Sequence, residues 1–301
     1  MSRRRKGRDI HGIILLDKPA GYSSNQAVQK IRWLFQARKA GHTGSLDPFA
    51  TGMLPICLGE ASKTAGFMLD ASKTYIAAAF LGKATATGDI EGQISREMKV
   101  PDLDDEQINT VLNEFLGEIE QIPPMYSALK HQGQPLYKLA RAGQEVVRKP
   151  RLVTIHTLEL LSWAPPILEF RVHCSKGTYI RTLAEDIAEK LGSCAHLQSL
   201  RRLDVEPFRE KDMITLEELL SRAEAESLDD CLLPVDSGLA DWPSVTLDEV
   251  SANRFCHGNP VETVCDQVGP VRVYGPGSRL LGLAEVMSGK CLKPKRIMHL
   301  Q

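Results

Sequence analysis

The chain has 301 residues, 43% of them hydrophobic and 25% charged, with 37 Lys and Arg against 38 Asp and Glu for a net charge of -1. This length suggests about two domains, and the composition excludes wholesale disorder, a collagen-like repeat and a disulfide mini-protein. The balanced total hides a local asymmetry: ten basic residues lie between Met1 and Ala40, opposed only by Asp9 and Asp17. In chain order, residues 12–16 read as a short buried strand, closed by the turn chemistry of Lys18-Pro19-Ala20-Gly21. Ser23 or Ser24 caps a helix to about residue 36, with Val28, Ile31, Trp33 and Phe35 as its apolar positions. A loop rich in Gly and Pro covers 41–55. A buried strand segment at 56–58, a helix at 60–69 and a strand at 73–81 follow. Pro101-Asp102 opens a helix over 105–116. Residues 123–134 form a loop with a short strand at 127–130, and 136–141 form a short helix stopped by Gly143. The stretches 152–161 and 167–174 make a hairpin around Pro165-Pro166. A helix from Tyr179 to Leu191 stops at Gly192, a strand covers 197–205 and a helix covers 215–223. From Trp242-Pro243 onward short strands alternate with Gly and Pro turns, as at 271–274 and 280–286.

These elements define an α+β chain with a mixed sheet: a body over 1–241 with a basic N-terminal arm, and a small β-rich module over 242–301. The seven cysteines form no Cys-x-x-Cys pair, so neither a disulfide framework nor a zinc site is indicated, and most are expected to be reduced core residues. No apolar run approaches the roughly 18 residues of a membrane helix, and 12–16 is too short for a signal peptide, so a cytoplasmic protein is expected. The basic arm suits a polyanion, or else is a solvated tail.

The densest signal is the run Gly41-His42-Thr43-Gly44-Ser45-Leu46-Asp47-Pro48-Phe49-Ala50-Thr51-Gly52-Met53-Leu54-Pro55. Its glycines let backbone approach a ligand. Pro48 steers Asp47 away from the α region, so the carboxylate rides on an extended or turn segment. Leu46, Phe49, Met53 and Leu54 surround it with apolar neighbours. An Asp-Pro turn holding itself by an Asx bond is the plain alternative to a catalytic Asp47.

This run resembles the active-site motif of the TruB family of pseudouridine synthases, which isomerise the uridine at position 55 in the T loop of transfer RNA. Lys18-Pro19-Ala20-Gly21-Tyr22-Ser23-Ser24, Lys73-Thr74-Tyr75, Lys176-Gly177-Thr178-Tyr179-Ile180-Arg181 and Leu200-Arg201-Arg202-Leu203 resemble further family motifs in the same order. The likeness spans about Asp9 to the C-terminus and is weakest over 100–116 and 207–241. It implies a pseudouridine synthase core and, in the short last module, a PUA-like RNA-binding domain. It also implies Asp47 as nucleophile, attacking C1′ or C6 of the nucleotide. Arg181 would be its ionic partner, Tyr75 the ring stacked on the uracil, and Tyr179 and Leu200 the pocket walls. His42 would enter the RNA where bases have left the stack. Lys18 and Pro19 would support the loop.

The resemblance implies no metal and no cofactor. The expected partner is the T stem-loop of transfer RNA, with no membrane, no obligate protein partner and a monomeric state. Two rival readings are a non-catalytic RNA-binding or RNA-folding protein on the same scaffold, and a hydrolase using Asp47. The first is opposed by the joint presence of Asp47, Tyr75 and Arg181. The second lacks an evident second carboxylate.

Overall fold

The computed structural model describes residues 7–265 and 267–300. Arg3, Arg4, Arg5 and Lys6 of the basic arm lie outside the described residues, and Arg8 is paired with Asp229. Among the described residues the main sheet has nine strands. They are β1 (Gly12–Lys18), β2 (Ala40–His42), β3 (Thr51–Leu58), β4 (Lys73–Leu81), β5 (Gly117–Gln121), β6 (Arg151–Ala164), β7 (Ile167–Cys174), β8 (Ala195–Val205) and β9 (Ile214–Thr215). Their spatial order is β9-β1-β3-β8-β4-β7-β6-β5, with β2 on β3. The pairs β1/β9 and β3/β8 are parallel and β1/β3, β8/β4 and β4/β7 antiparallel, so the sheet is mixed, as the α+β reading requires.

β1 is buried on both faces. Ile14 and Leu16 point into one core with α1 (Ser24–Leu34), α2 (Asp105–Asn113), α3 (Ile180–Lys190) and α4 (Leu216–Glu224). Ile13 and Leu15, one pleat out of phase, join a second core with Met53, Cys57, Leu280, Leu283 and Met298. A strand buried on both sides reads as a continuous apolar run, which is why 12–16 showed no alternation.

Among the described residues the terminal module has its own five-stranded sheet: β10 (Ser244–Thr246), β11 (Val261–Glu262), β12 (Gly269–Tyr274), β13 (Leu280–Met287) and β14 (Cys291–Ile297). It also carries a helix, α5 (Glu249–Cys256), absent from the sequence reading. β13 serves two cores. Leu281, Ala284 and Val286 face the module's interior, whereas Leu280 and Leu283 cover the main sheet. Removal of 242–301 would uncover Ile13, Leu15, Met53 and Cys57, none more than 2% exposed. Three large apolar side chains lost from that contact represent about 5 kcal/mol, or roughly 10 °C in a chain of this size. The truncated chain is therefore expected to melt at least that much lower; calorimetry showing an unchanged melting temperature would contradict the shared core.

Several predicted elements need correction. The loop is shorter than 41–55, because Ala40–His42 and Thr51–Leu58 pair as strands, leaving 43–50 between them. Pro55 sits inside β3, where it can only accept: its carbonyl takes the Thr43 N–H. Trp33 is 68% exposed rather than on the buried face of α1. That face is carried by Ala27, Val28 and Ile31, at helical spacing, and Phe35 is buried just beyond it. The strand expected at 127–130 is the two-residue Lys130–His131 paired with Gln134–Pro135. β5 and the hairpin of Lys83–Thr85 with Ile94–Glu97 were not anticipated, since their short, mostly polar sequences carry little period-two signal. All seven cysteines are free, but only Cys57, Cys174 and Cys194 are fully buried.

Candidate active site

Asp47 rides on the 43–50 loop between β2 and β3, and other segments hold that loop. Ser23 caps α1 in a capping box with Gln26. The next residue, Ser24, uses its hydroxyl to accept the Leu46 N–H at 2.7 Å and to donate to the Leu46 carbonyl at 2.9 Å. The helix start is thus stitched to the residue before Asp47. On the other side Lys18 is fully buried at the end of β1. Its ammonium donates to the carbonyls of Pro19 (2.9 Å), Tyr22 (2.7 Å) and Pro48 (3.3 Å). Burial pushes Lys18 down to about 8, opposed by the charge of Asp47 and reinforced by Arg202. Lys18 therefore acts on the loop through backbone carbonyls, in keeping with the supporting role expected of it.

The Asp47 carboxylate meets Arg181, which rises from the first turn of α3. Arg181 Nε lies 3.1 Å from Asp47 Oδ2, and Arg181 is 5% exposed against 38% for the Asp47 side chain. Arg181 Nη1 donates to the Thr87 carbonyl (2.8 Å) and faces Asp89 Oδ2 (3.4 Å), while Nη2 donates to the Tyr126 carbonyl (2.8 Å). The planar fork is thus fixed by acceptors on two other loops. Burial of the carboxylate group raises the Asp47 pKa despite its partly open side chain; Arg181 opposes the rise and Asp89 adds to it. Chemistry that needs the anion should therefore lose rate, as pH falls, above the ordinary aspartate range. Single-turnover rates measured from pH 4 to 8 should show that displaced acid limb, and a limb at or below the ordinary value would contradict the burial.

Tyr75 on β4 lies directly opposite Arg202 on β8, so both side chains share one face of the sheet. Tyr75 is buried, and burial raises its hydroxyl pKa while Arg202 opposes. Tyr179 is the residue before α3; its N–H donates to Gln121 Oε1 at 3.0 Å, and Gln121 Nε2 donates back to its carbonyl at 3.3 Å. Its hydroxyl is raised chiefly by burial, and Asp47 and Arg181 both act on it. Leu200 lines an open cleft of about 610 Å³ with Ala20, Phe49, Thr51 and Ile76. Asp47, Tyr75, Tyr179 and Arg181 therefore come together, with Leu200 in the adjoining cleft. His42 stands at the loop's start, its Nδ1 accepting the Gly44 N–H at 3.2 Å. Burial, then the Arg202 charge, lower its pKa, so the ring is neutral at neutral pH.

Two site residues escaped the sequence reading. Asp89 is buried to 5% and also accepts from Thr87 Oγ1 (2.5 Å) and the Glu91 N–H (3.1 Å). Its only signal is the local Thr85-Ala86-Thr87-Gly88-Asp89, which looks like any turn. Arg202 lies in Leu200-Arg201-Arg202-Leu203, where nothing local sets it apart from Arg201.

The site is thus a carboxylate held by a buried arginine, with two tyrosines beside it, and its likeness to known proteins places the chain among the pseudouridine synthases. A solved structure, "Crystal Structure of a Cbf5-Nop10-Gar1 Complex", shares the fold: TM-score 0.74 at 27% identity, covering 95% of this chain and 84% of that one. The chain belongs to the TruB family. Residues 32–180 match the family described as "TruB family pseudouridylate synthase (N terminal domain)", 181–240 match "tRNA pseudouridylate synthase B C-terminal domain", and 243–298 match "Pseudouridine synthase II TruB, C-terminal". A Pseudomonas fluorescens protein named tRNA pseudouridine synthase B is 52% identical, covering 97% of each chain. A Nitrosococcus oceani protein of the same name is 50% identical, covering 99% of this chain and 98% of its own.

Proposed function

We propose that this enzyme isomerises the T-loop uridine at position 55 of transfer RNA to pseudouridine, with Asp47 as the attacking group. The observation that carries the reading is the Asp47–Arg181 pair, 3.1 Å apart beside an open cleft. The transfer-RNA substrate is supported by the name of relatives about half identical over almost the whole chain. The reaction breaks the C1′–N1 bond, turns the uracil and joins C1′ to C5. The proton lost from C5 balances the one gained at N1, so neither oxidant nor co-substrate is needed. Asp47 attacks as the anion, at C1′ or at C6, and is released when the new bond is complete. Arg181 keeps it ionised in a site that burial makes hostile to charge.

Tyr75 stacks on the uracil, and its hydroxyl is the group placed to assist loss of the C5 proton. Tyr179 and Leu200 wall the base. A neutral His42 ring fills the stack that the flipped base leaves, returning part of the few kcal/mol that flipping costs. The 242–301 module serves as a PUA-like RNA-binding domain, and the enzyme works as a cytoplasmic monomer. The test is to map pseudouridine in transfer RNA incubated with and without the enzyme. A single new pseudouridine in the T loop supports the reading; free uracil in place of pseudouridine would mean hydrolysis and overturn it.

A further inference from the structure

Arg202 is the largest side chain in the fully buried interior, 1% exposed. Three of its hydrogen bonds go to backbone carbonyls of the strand and loop that carry Asp47. Nε donates to Met53 (2.7 Å), Nη1 to Ser45 (3.4 Å) and Nη2 to Gly44 (3.1 Å). Among the described residues no carboxylate lies in ion-pair range of it, so carbonyl dipoles replace its water. A buried cation without a carboxylate is an expensive way to fasten two strands. The ladder at this seam is itself thin. β8 meets β3 through only two register pairs, Arg201 with Thr51 and Arg202 with Gly52. Gly52 has φ +98°, and a Cβ there would fall 2.1 Å from the Arg202 carbonyl oxygen, so the two backbones touch where the loop re-enters the sheet.

We propose that Arg202 is a positioning residue for the reaction: its guanidinium fixes both flanks of the Asp47 loop, through Gly44 and Ser45 before the carboxylate and Met53 after it. Asp47 is then located from three directions. Arg181 holds the carboxylate, Lys18 and Ser24 hold the adjacent backbone, and Arg202 holds the loop's two ends. The fork suits this role, because its three nitrogens donate in fixed directions to carbonyls on both flanks, whereas a lysine would have to serve them from a single nitrogen. Arg202 also stands opposite Tyr75 on β4, so the same side chain ties the position of the carboxylate to that of the stacking ring. The inference rests on Asp47 being the attacking group.

The test compares Arg202→Lys with the parent in melting temperature, transfer-RNA affinity and single-turnover rate. Lysine retains the charge and most of the stem, so melting should fall by only a few degrees and affinity should change less than about threefold. The rate should fall about 30-fold or more, since small displacements of a reacting group carry losses of that order. An independent variant approaches from the loop. Gly44 has φ +134°, and a Cβ there would lie 3.8 Å from Arg202 Nη1. At that distance the methyl makes only ordinary contact; it is the φ of +134°, which alanine rarely adopts, that shifts the held carbonyl without emptying the core, so Gly44→Ala should lower the rate at near-constant affinity. It also decides the matter should Arg202→Lys fail to fold. Parental rates in both variants, or losses that follow the folded fraction, would overturn the proposal. Those results beside an inactive Asp47→Asn would remove only Arg202's role, whereas an active Asp47→Asn would remove the reading beneath it.

Discussion

Arg181→Met should lower single-turnover pseudouridine formation by about a thousandfold, the scale seen when a preorganised charge partner is lost from a closed site. The guanidinium has two carboxylates to satisfy, Asp47 at 3.1 Å and Asp89 at 3.4 Å. Methionine fills the space of the stem but leaves both acids without their ion-pair partner, and Asp47 with only the weaker influence of Lys18. The sign of the pH effect follows. Burial and Asp89 already raise the Asp47 pKa, and Arg181 is the chief force against them. Its loss moves the pKa higher still, so the acid limb of the rate should shift toward neutrality and some activity should return at high pH. Stability should fall as well. Asp89 is 5% exposed, and a buried charge stripped of its partner costs about 3–5 kcal/mol. Rates must therefore be referred to the folded fraction from a melting curve. Parental turnover at neutral pH in folded Arg181→Met would remove the ion pair from the mechanism.

The residues that could be read from the sequence are those whose signal is local. Capping by Ser23, the β4 strand over 73–81, the short helix at 136–141 and the long hairpin around Pro165-Pro166 all follow from propensity and punctuation within a few residues. Asp47 stands out locally because glycines, a proline and apolar neighbours surround it within one loop, and its expected part in the reaction comes from the resemblance of that loop to a family motif. Asp89 and Arg202 were not, because their roles exist only across the fold. Asp89 comes to Arg181 over 92 residues of chain, and Arg202 reaches Gly44 over 158. Nothing within either neighbourhood distinguishes a turn aspartate or a strand arginine from a solvated one. Trp33 failed for a different reason. It stands two residues, about 200° of helical rotation, from both Ile31 and Phe35, so the helical period itself turns it away from the face that α1 buries. The shared core beneath the terminal module was equally hidden, since β13's apolar run gives no sign that it serves two interiors.

The largest effect is expected from Asp47→Asn. The amide keeps the shape of the carboxylate and some of its hydrogen bonding, but it is no nucleophile and carries no charge for Arg181. Asp89, the other acid on Arg181, is buried and engaged by Thr87 and Glu91, so it cannot take over the attack. Turnover should therefore fall below detection. RNA affinity is spread over phosphates, stacking and base edges, so losing one carboxylate should leave binding within about tenfold, roughly 1.4 kcal/mol. The pair also predicts non-additivity. Once Asp47 is gone, adding Arg181→Met should cost little further rate, because the arginine acts on the reaction through the carboxylate. Mass spectrometry must first exclude deamidation of the introduced asparagine back to aspartate, and melting curves must show a folded chain. Measurable pseudouridine from such a preparation would falsify Asp47 as the nucleophile, and the parts assigned to Arg181, Lys18 and Ser24 around it would have to be argued again from a different attacking group.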